Sequence, residues 1–452
     1  MFKRRTATTL VLSIMMVAMA IFSVNAGTKN TFSLYSLYGL GSLQTQGTLS
    51  MRSMGGAGVA MRTASTINLL NPASYSVALP KSAMFDFGME GATYGTTQNV
   101  NGVEETGRFS TFNFHDIAVQ LPVAKKLGMA LSVTPYSSVG YQYESNNWLY
   151  AEDGNTDSQP LGKVLTTTEG SGEVTEVKLG MGWEPFKNFS IGVAAQYYWG
   201  SVERIIDQNI YTILDPSTIS SPYVYDEYTI SQIKGQIGAQ WNIINKSRKS
   251  LIIGATYDFG GDLKPQHIRT VSGSMSTSDV SQVDTTNIYL VKPNQLTVGV
   301  SYQGQKVIAV ADYSRQNWDT NNEHTEYSIK GIVVEYNNIN IFRAGLEYTP
   351  NRRDVRHYHR RISYRTGFRH SGHYLTYSGE TLNEYYITAG AGFPINTIGI
   401  SKIDLGFEWG SIGSTGIISG TDIGLVRERV FRFSIGVTMF GSDYWFQRPK
   451  ID

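Results

Sequence analysis

The 452-residue sequence has no cysteine. That excludes disulfides, thiolate catalysis and a lipid-modified N-terminal cysteine, and it suits an oxidising compartment reached by export. Charge is scarce as well: charged residues make 17% of the chain and the formal net charge is +1. Without a basic excess, nucleic acid is excluded as a partner. Beyond the N-terminus no stretch reaches the roughly eighteen consecutive apolar residues of a membrane-spanning helix. No linker or shift in composition divides the chain after about residue 80, which points to one large architecture rather than a string of soluble domains.

Aromatic residues are plentiful, at 12%, and there are 46 glycines. Lys3, Arg4 and Arg5 precede an apolar run from Leu10 to Phe22, and Val24, Asn25 and Ala26 supply small residues before Gly27. This pattern predicts a secretory signal peptide over residues 1–26.

Downstream, segments about ten residues long alternate with period two. Phe431, Phe433, Ile435, Val437 and Met439 share one face of such a segment, and Arg432, Ser434, Gly436 and Thr438 share the other. The apolar faces end in Tyr and Trp, while the opposite faces are rich in glycine and charge. That arrangement fits lipid outside and a polar lumen inside, so an all-β transmembrane antiparallel barrel is expected. Fourteen strand centres can be marked, from Phe87 to Ile435, with the eleventh near Tyr364. Connections such as Pro122–Lys126 and Gln303–Lys306 are short. Those at Thr93–Arg108, Glu144–Glu173 and Glu203–Glu227 are long and polar, so the two kinds alternate as periplasmic turns and outer loops do. Tyr327–Tyr336 alternates well enough to be an extra hairpin strand in an outer loop, and Pro350–Arg360 is long for a periplasmic turn.

Leu49–Leu79 does not alternate. It carries Ser53-Met54-Gly55-Gly56-Ala57-Gly58 and then Asn71-Pro72-Ala73. The segment from Met51 to Ala60, followed by Asn-Pro-Ala before the first strand, resembles the N-terminal hatch of the FadL-type outer-membrane transporters of long-chain fatty acids and aromatic hydrocarbons. The resemblance implies a fourteen-stranded barrel over 81–440, a hatch over 27–80 and a periplasmic tail over 441–452. It implies passive uptake of hydrophobic molecules past the hatch, with a lateral exit at a kink in the third strand, for which Pro135 is the candidate because proline donates nothing to a ladder. A branch of the same family acts instead as a scaffold or shuttle for other envelope proteins in secretion or assembly, and nothing in the hatch separates the two.

Gly55, Gly56 and Gly58 suit close packing or positive φ, and Asn71 before Pro72 suits a helix start. Inward-facing charges are expected at Asp86, Glu90, Asp258, Asp312, Glu347, Asp404 and Glu408 against Lys178, Lys234, Arg343, Arg365, Arg369 and Arg432. Their near balance argues against an ion-selective pore and for pairs that brace a plug. Arg352, Arg353, Arg356, Arg360 and Arg361 cluster at the long inner turn, where guanidinium groups can hold lipid phosphates or an acidic partner. His357 and His359 lack a carboxylate at matching spacing for a metal, and no serine stands in a nucleophile context. No catalytic residue, metal or cofactor is therefore assigned. The expected partners are outer-membrane lipids, a hydrophobic ligand and other envelope proteins.

Overall fold

The computed structural model describes residues 29–442 apart from 101–102, 151–159, 213–217, 221, 247, 273–279, 283–289, 319–326, 330–331, 396–400 and 417–423. The expected signal peptide and most of the expected tail lie outside the described residues. Fourteen antiparallel strands form the wall. They are β1 (Ser82–Val100), β2 (Val103–Ala124), β3 (Leu127–Leu149), β4 (Gly162–Phe186), β5 (Phe189–Thr212), β6 (Tyr223–Lys246) and β7 (Lys249–Asp258). β8 (Asn294–Gly304), β9 (Val307–Asn317), β10 (Ile339–Tyr348), β11 (Ser363–Tyr377), β12 (Glu380–Pro394), β13 (Lys402–Ile412) and β14 (Val426–Ser442) complete it. β14 pairs back onto β1 from Ser82↔Ser442 to Gln98↔Val426, which closes the barrel. Pairing of the first and last strands removes the two outer edges of the sheet, as a membrane-spanning sheet requires.

Each of the fourteen expected centres falls in its own strand, although Tyr364 lies at the start of β11 rather than its middle. The strands are longer than expected. A spanning strand needs about 9–11 residues, yet β4 has 25 and β6 has 24. Most of the polar stretches read as outer loops are continuations of hairpins: β1 and β2 stay paired up to Val100↔Val103. Thr-rich polar sequence alternates too, and above the bilayer both faces of a hairpin meet water. The period-two signal persists there while the apolar face that marks a strand fades. Tyr327–Ile329 and Ile332–Tyr336 do form a short outer hairpin, the latter also pairing with β11.

The apolar faces point outward, with Phe85, Leu179, Trp183, Val193, Trp241, Phe342 and Trp409 exposed to the surroundings of the barrel. The lumen is filled by residues 29–80. This segment carries two short 3-10 helices, Leu34–Leu37 and Pro72–Val77, and a single α-turn, Leu49–Arg52. Glycines on the inner face of the wall make room for it. A Cβ at Gly238 would overlap Asn71 Oδ1, one at Gly182 the Pro72 carbonyl, one at Gly192 the backbone of Pro72 and Ala73, and one at Gly367 the backbone of Met54 and Gly55. Glycine on the luminal face is thus a groove cut for the chain's own N-terminal segment.

Overpacking of such a groove costs about 1–3 kcal/mol. Gly238→Val is therefore expected to raise the thiol-labelling rate of a cysteine placed at Ala73 while the barrel keeps its heat-modifiable mobility. An unchanged labelling rate would mean that the groove does not hold the segment. The cysteine-free background makes that label unique.

Candidate functional site

Between β2 and β3 the wall has a seam. β2 and β3 pair from Ala124↔Leu127 only as far as Ile117↔Val133. Beyond that point, among the wall strands, β2 pairs only with β1 and β3 only with β4. Pro135 sits two residues past the last rung, where β3 also slips register against β4 between Pro135 and Ser137. Proline lacks the N–H that the next rung would need. On the opposite edge β2 bulges between Gly88 and Met89 of β1, which buries His115 and Asp116 side by side.

An unpaired edge inside a bilayer costs several kcal/mol for each unsatisfied backbone group. Here the N-terminal segment supplies the partners. Ser42 and Leu43 pair with Ser138 and Ser137 as a two-residue strand. Gln44 N donates to Tyr136 O at 2.9 Å and Ser33 N to Gly140 O at 2.8 Å. Gly140 N donates to Ser36 Oγ at 3.1 Å, and Gln46 Nε2 donates to Pro135 O at 2.8 Å. Across the gap, Asn113 Nδ2 donates to Asn30 O at 2.5 Å and Phe32 stacks on Phe109.

Further along, the segment is tied to charges of the wall. Arg52 Nη2 meets Glu90 Oε2 at 2.5 Å, both side chains being buried. Asp312 Oδ2 accepts the N–H groups of Gly58 at 2.6 Å and Val59 at 2.9 Å. Ser50 Oγ donates to Asp404 Oδ2 at 3.0 Å, and Lys178 Nζ donates to Leu69 O at 3.2 Å. Glu428 accepts from Ser33 Oγ and Leu34 N at 2.6 and 2.7 Å. Other wall charges pair among themselves: Arg365 bridges Glu347 at 2.8 Å and Asp404 at 2.5 Å, and Arg432 pairs with Glu408.

Between the segment and the outer mouth lies a cavity of about 180 Å³. Tyr94, Tyr136, Tyr198, Tyr386 and Ile341 line it together with Glu176, Lys178, Arg343 and Arg369, and Gln44–Gln46 separate it from the seam. An aromatic layer roofs the cavity: Trp318 stacks on Tyr374 and Tyr336, and Tyr35 packs against Tyr377.

A family model described as BamG matches residues 5–452. The chain belongs to the BamG family. Among curated proteins none matches the sequence. Among solved structures, this BamG-family barrel is similar to a Pseudomonas aeruginosa FadL homologue at 11% identity and TM-score 0.55, covering 89% of this chain and 99% of that one. It is similar to the Ralstonia pickettii toluene transporter TbuX at 16% identity and TM-score 0.52, over 88% and 98% of the two chains. The Pseudomonas putida toluene transporter TodX follows at 14% identity and TM-score 0.52, over 89% and 99%. At such identities the likeness is one of fold, an outer-membrane type of barrel, and the FadL-type resemblance read from the sequence holds at that level.

The expected site residues fall in three places of the BamG-family barrel. Gly55 and Gly56 adopt φ of 72° and 74°, a region closed to most side chains. Gly55 N also donates to Thr388 Oγ1 at 2.9 Å. Asn71 Oδ1 accepts from Ala73 N at 3.0 Å at the start of the Pro72–Val77 turn, while Nδ2 donates to Val59 O at 2.9 Å. Pro135 lies at the seam. Arg352 and Arg361 line a separate pocket at the periplasmic mouth, which Arg353, Arg356 and Arg360 do not. The sequence reading missed the role of residues 30–46, which close the seam. It also missed Glu428, His115 and Asp116, which sit at positions where no long alternation singles them out.

Breaking a buried pair by removing one partner costs about 3–5 kcal/mol, because the other charge is left uncompensated. Arg52→Met is expected to lose that much stability in urea unfolding, and Arg52→Met with Glu90→Leu to recover most of it. Equal losses in the single and double variants would show that Glu90 is not held by Arg52.

Proposed function

We propose that the barrel passes small hydrophobic molecules across the outer membrane, entering the cavity under the aromatic roof and leaving sideways through the β2–β3 seam. The observation that carries this is the break in the wall at Ile117↔Val133, closed by residues 30–46 and not by the wall itself. A segment held by short rungs and side-chain hydrogen bonds can part from the edge, whereas a continuous ladder cannot. Cavity size bounds the ligand: roughly 150 Å³ of apolar space accepts benzene, so about 180 Å³ with mixed polar lining suits a monoaromatic or short amphipathic molecule better than a long acyl chain. Its fold neighbours include toluene transporters and monoaromatic hydrocarbon channels. In this reading residues 1–26 are the export signal, residues 27–80 are the hatch, and the chemistry is downhill transfer of an apolar solute with no covalent step.

A second reading rests on the roof and the ties of the segment. Aromatic rings pack together on the outer side of the cavity and the N-terminal segment is anchored by buried charges, which suits a barrel that stays shut and serves as a scaffold for other envelope proteins.

The readings part on one experiment. Cysteines at Asn30 and Asn113, joined by a short bifunctional thiol reagent, lock the segment across the seam. Uptake of toluene or a fluorescent fatty acid by vesicles holding the locked barrel is expected to fall to that of empty vesicles, and cleavage of the linker to restore it. Uptake unchanged by the lock, or absent before it, contradicts lateral transport and favours the scaffold.

A further inference from the structure

At its periplasmic mouth the barrel holds a second concavity, of about 520 Å³. Its roof is the loop Thr63–Thr66 of the N-terminal segment. Its sides are the β6–β7 turn with Lys246, Arg248 and Lys249, the β8–β9 turn with Gln303 and Gln305, and the β10–β11 turn with Arg352 and Arg361. These turns join the strand ends opposite the long hairpins and so face the periplasm.

Glu347 is the one acidic residue of the lining, and it is already engaged, by Arg365 at 2.8 Å and Arg352 at 2.9 Å. Lys402 is engaged by Asp404 at 3.3 Å. Lys246, Arg248, Lys249 and Arg361 make no ion pair among the described residues, and the first three are exposed. The only acid of the β10–β11 turn, Asp354, cannot serve them. Its carboxylate accepts the N–H groups of Arg356 and His357, both at 2.9 Å, which hold its pKa down at about 2, and it pairs with Arg360. Two polar atoms of the lining residues are buried with no hydrogen-bond partner, Arg361 Nε and Thr63 Oγ1. The mouth is therefore cationic, concave and incompletely satisfied.

We propose that this vestibule docks an acidic peptide segment of a periplasmic protein, whose carboxylates pair with Lys246, Arg248, Lys249 and Arg361. Charge and position decide between occupants. Residues 443–452 hold as many basic as acidic side chains, Arg448 and Lys450 beside Asp443 and Asp452, so their side chains bring no acidic excess to the site. A lipid headgroup would have to leave its leaflet, because the cavity is roofed by the hatch loop and walled by inward-facing Arg365 and Lys402, inside the ring of strands. A peptide arriving from the periplasm meets neither obstacle. The inference goes beyond the transport reading and does not depend on it.

The test uses the full-length protein in zwitterionic lipid nanodiscs and a fluorescein-labelled, glutamate-rich octapeptide read by anisotropy. The expected result is saturable, salt-sensitive binding that inorganic phosphate at equal ionic strength does not displace. Lys246→Glu, Arg248→Glu and Lys249→Glu together are expected to weaken it at least about tenfold and to confer binding of a lysine-rich octapeptide instead. Ser65→Trp, which fills the concavity without changing charge, is expected to abolish it. Heat-modifiable mobility shows that each variant is folded. Binding that survives Ser65→Trp reflects diffuse surface charge and overturns the proposal. So does displacement by phosphatidylglycerol added to the nanodisc, which would make this a lipid site, and so does the absence of binding.

Discussion

The outer half of β3 has a wall strand on one side only: β4 follows it to its end, and β2 has left it. A barrel in lipid must satisfy every backbone N–H and C=O internally, since each orphan costs several kcal/mol and water is not there to replace it. Past Val133 the β2–β3 ladder ends, and the carbonyls of Pro135, Tyr136 and Gly140 turn to the N-terminal segment for their donors. The segment is therefore part of the wall as well as the filling of the lumen. Displacing residues 30–46 would uncover that edge, so under the proposed transport route lateral opening and release of the segment would be one event.

The remaining contacts of the segment fix it in the lumen. From Ser50 to Ala73 it is held by a buried ion pair, a carboxylate that takes two backbone N–H groups, and a row of wall glycines that admit its backbone. These ties are dense around Arg52, Gly58 and Asn71. Near the seam the segment is held by two rungs and single hydrogen bonds on the β3 side, and by Glu428, the Val426 carbonyl and the Tyr374 hydroxyl on the far side. Two anchored stretches, 30–46 at the seam and 50–73 in the lumen, thus flank Gly47 (φ 107°).

How much of this was legible in the sequence follows from the range of each interaction. Strand identity is local, and Phe85–Phe87 or Trp409 declare an outward face by period two alone. Balanced luminal charge was legible because alternation places Glu90, Asp312 and Asp404 inside. Strand length was not, since the Thr-rich ends of β4 lose their apolar face above the bilayer while staying paired. The two rungs at Ser42 and Leu43 are too short to show a period, so the segment that matters most at the seam reads as featureless chain. The basic mouth is assembled by fold from two turns about a hundred residues apart in sequence. The arginine run announced Arg352 and Arg361, but nothing in it pointed to Lys246, Arg248 and Lys249. Glycine on the inner face was visible as a pattern, and its cause, close approach of Pro72 and Ala73, needed the partner's position.

The central claim is that residues 30–46 complete the wall at β3. Hydrogen exchange at the Gly140 amide, in the intact protein and in a Gly41→Val variant whose new side chain would press on the Ser138 carbonyl, tests it most directly. The account predicts protection in the intact protein comparable to the paired amides of β4, and its loss in the variant while β4 stays protected. Rapid exchange at Gly140 in the intact protein, or protection indifferent to the displaced segment, would contradict it.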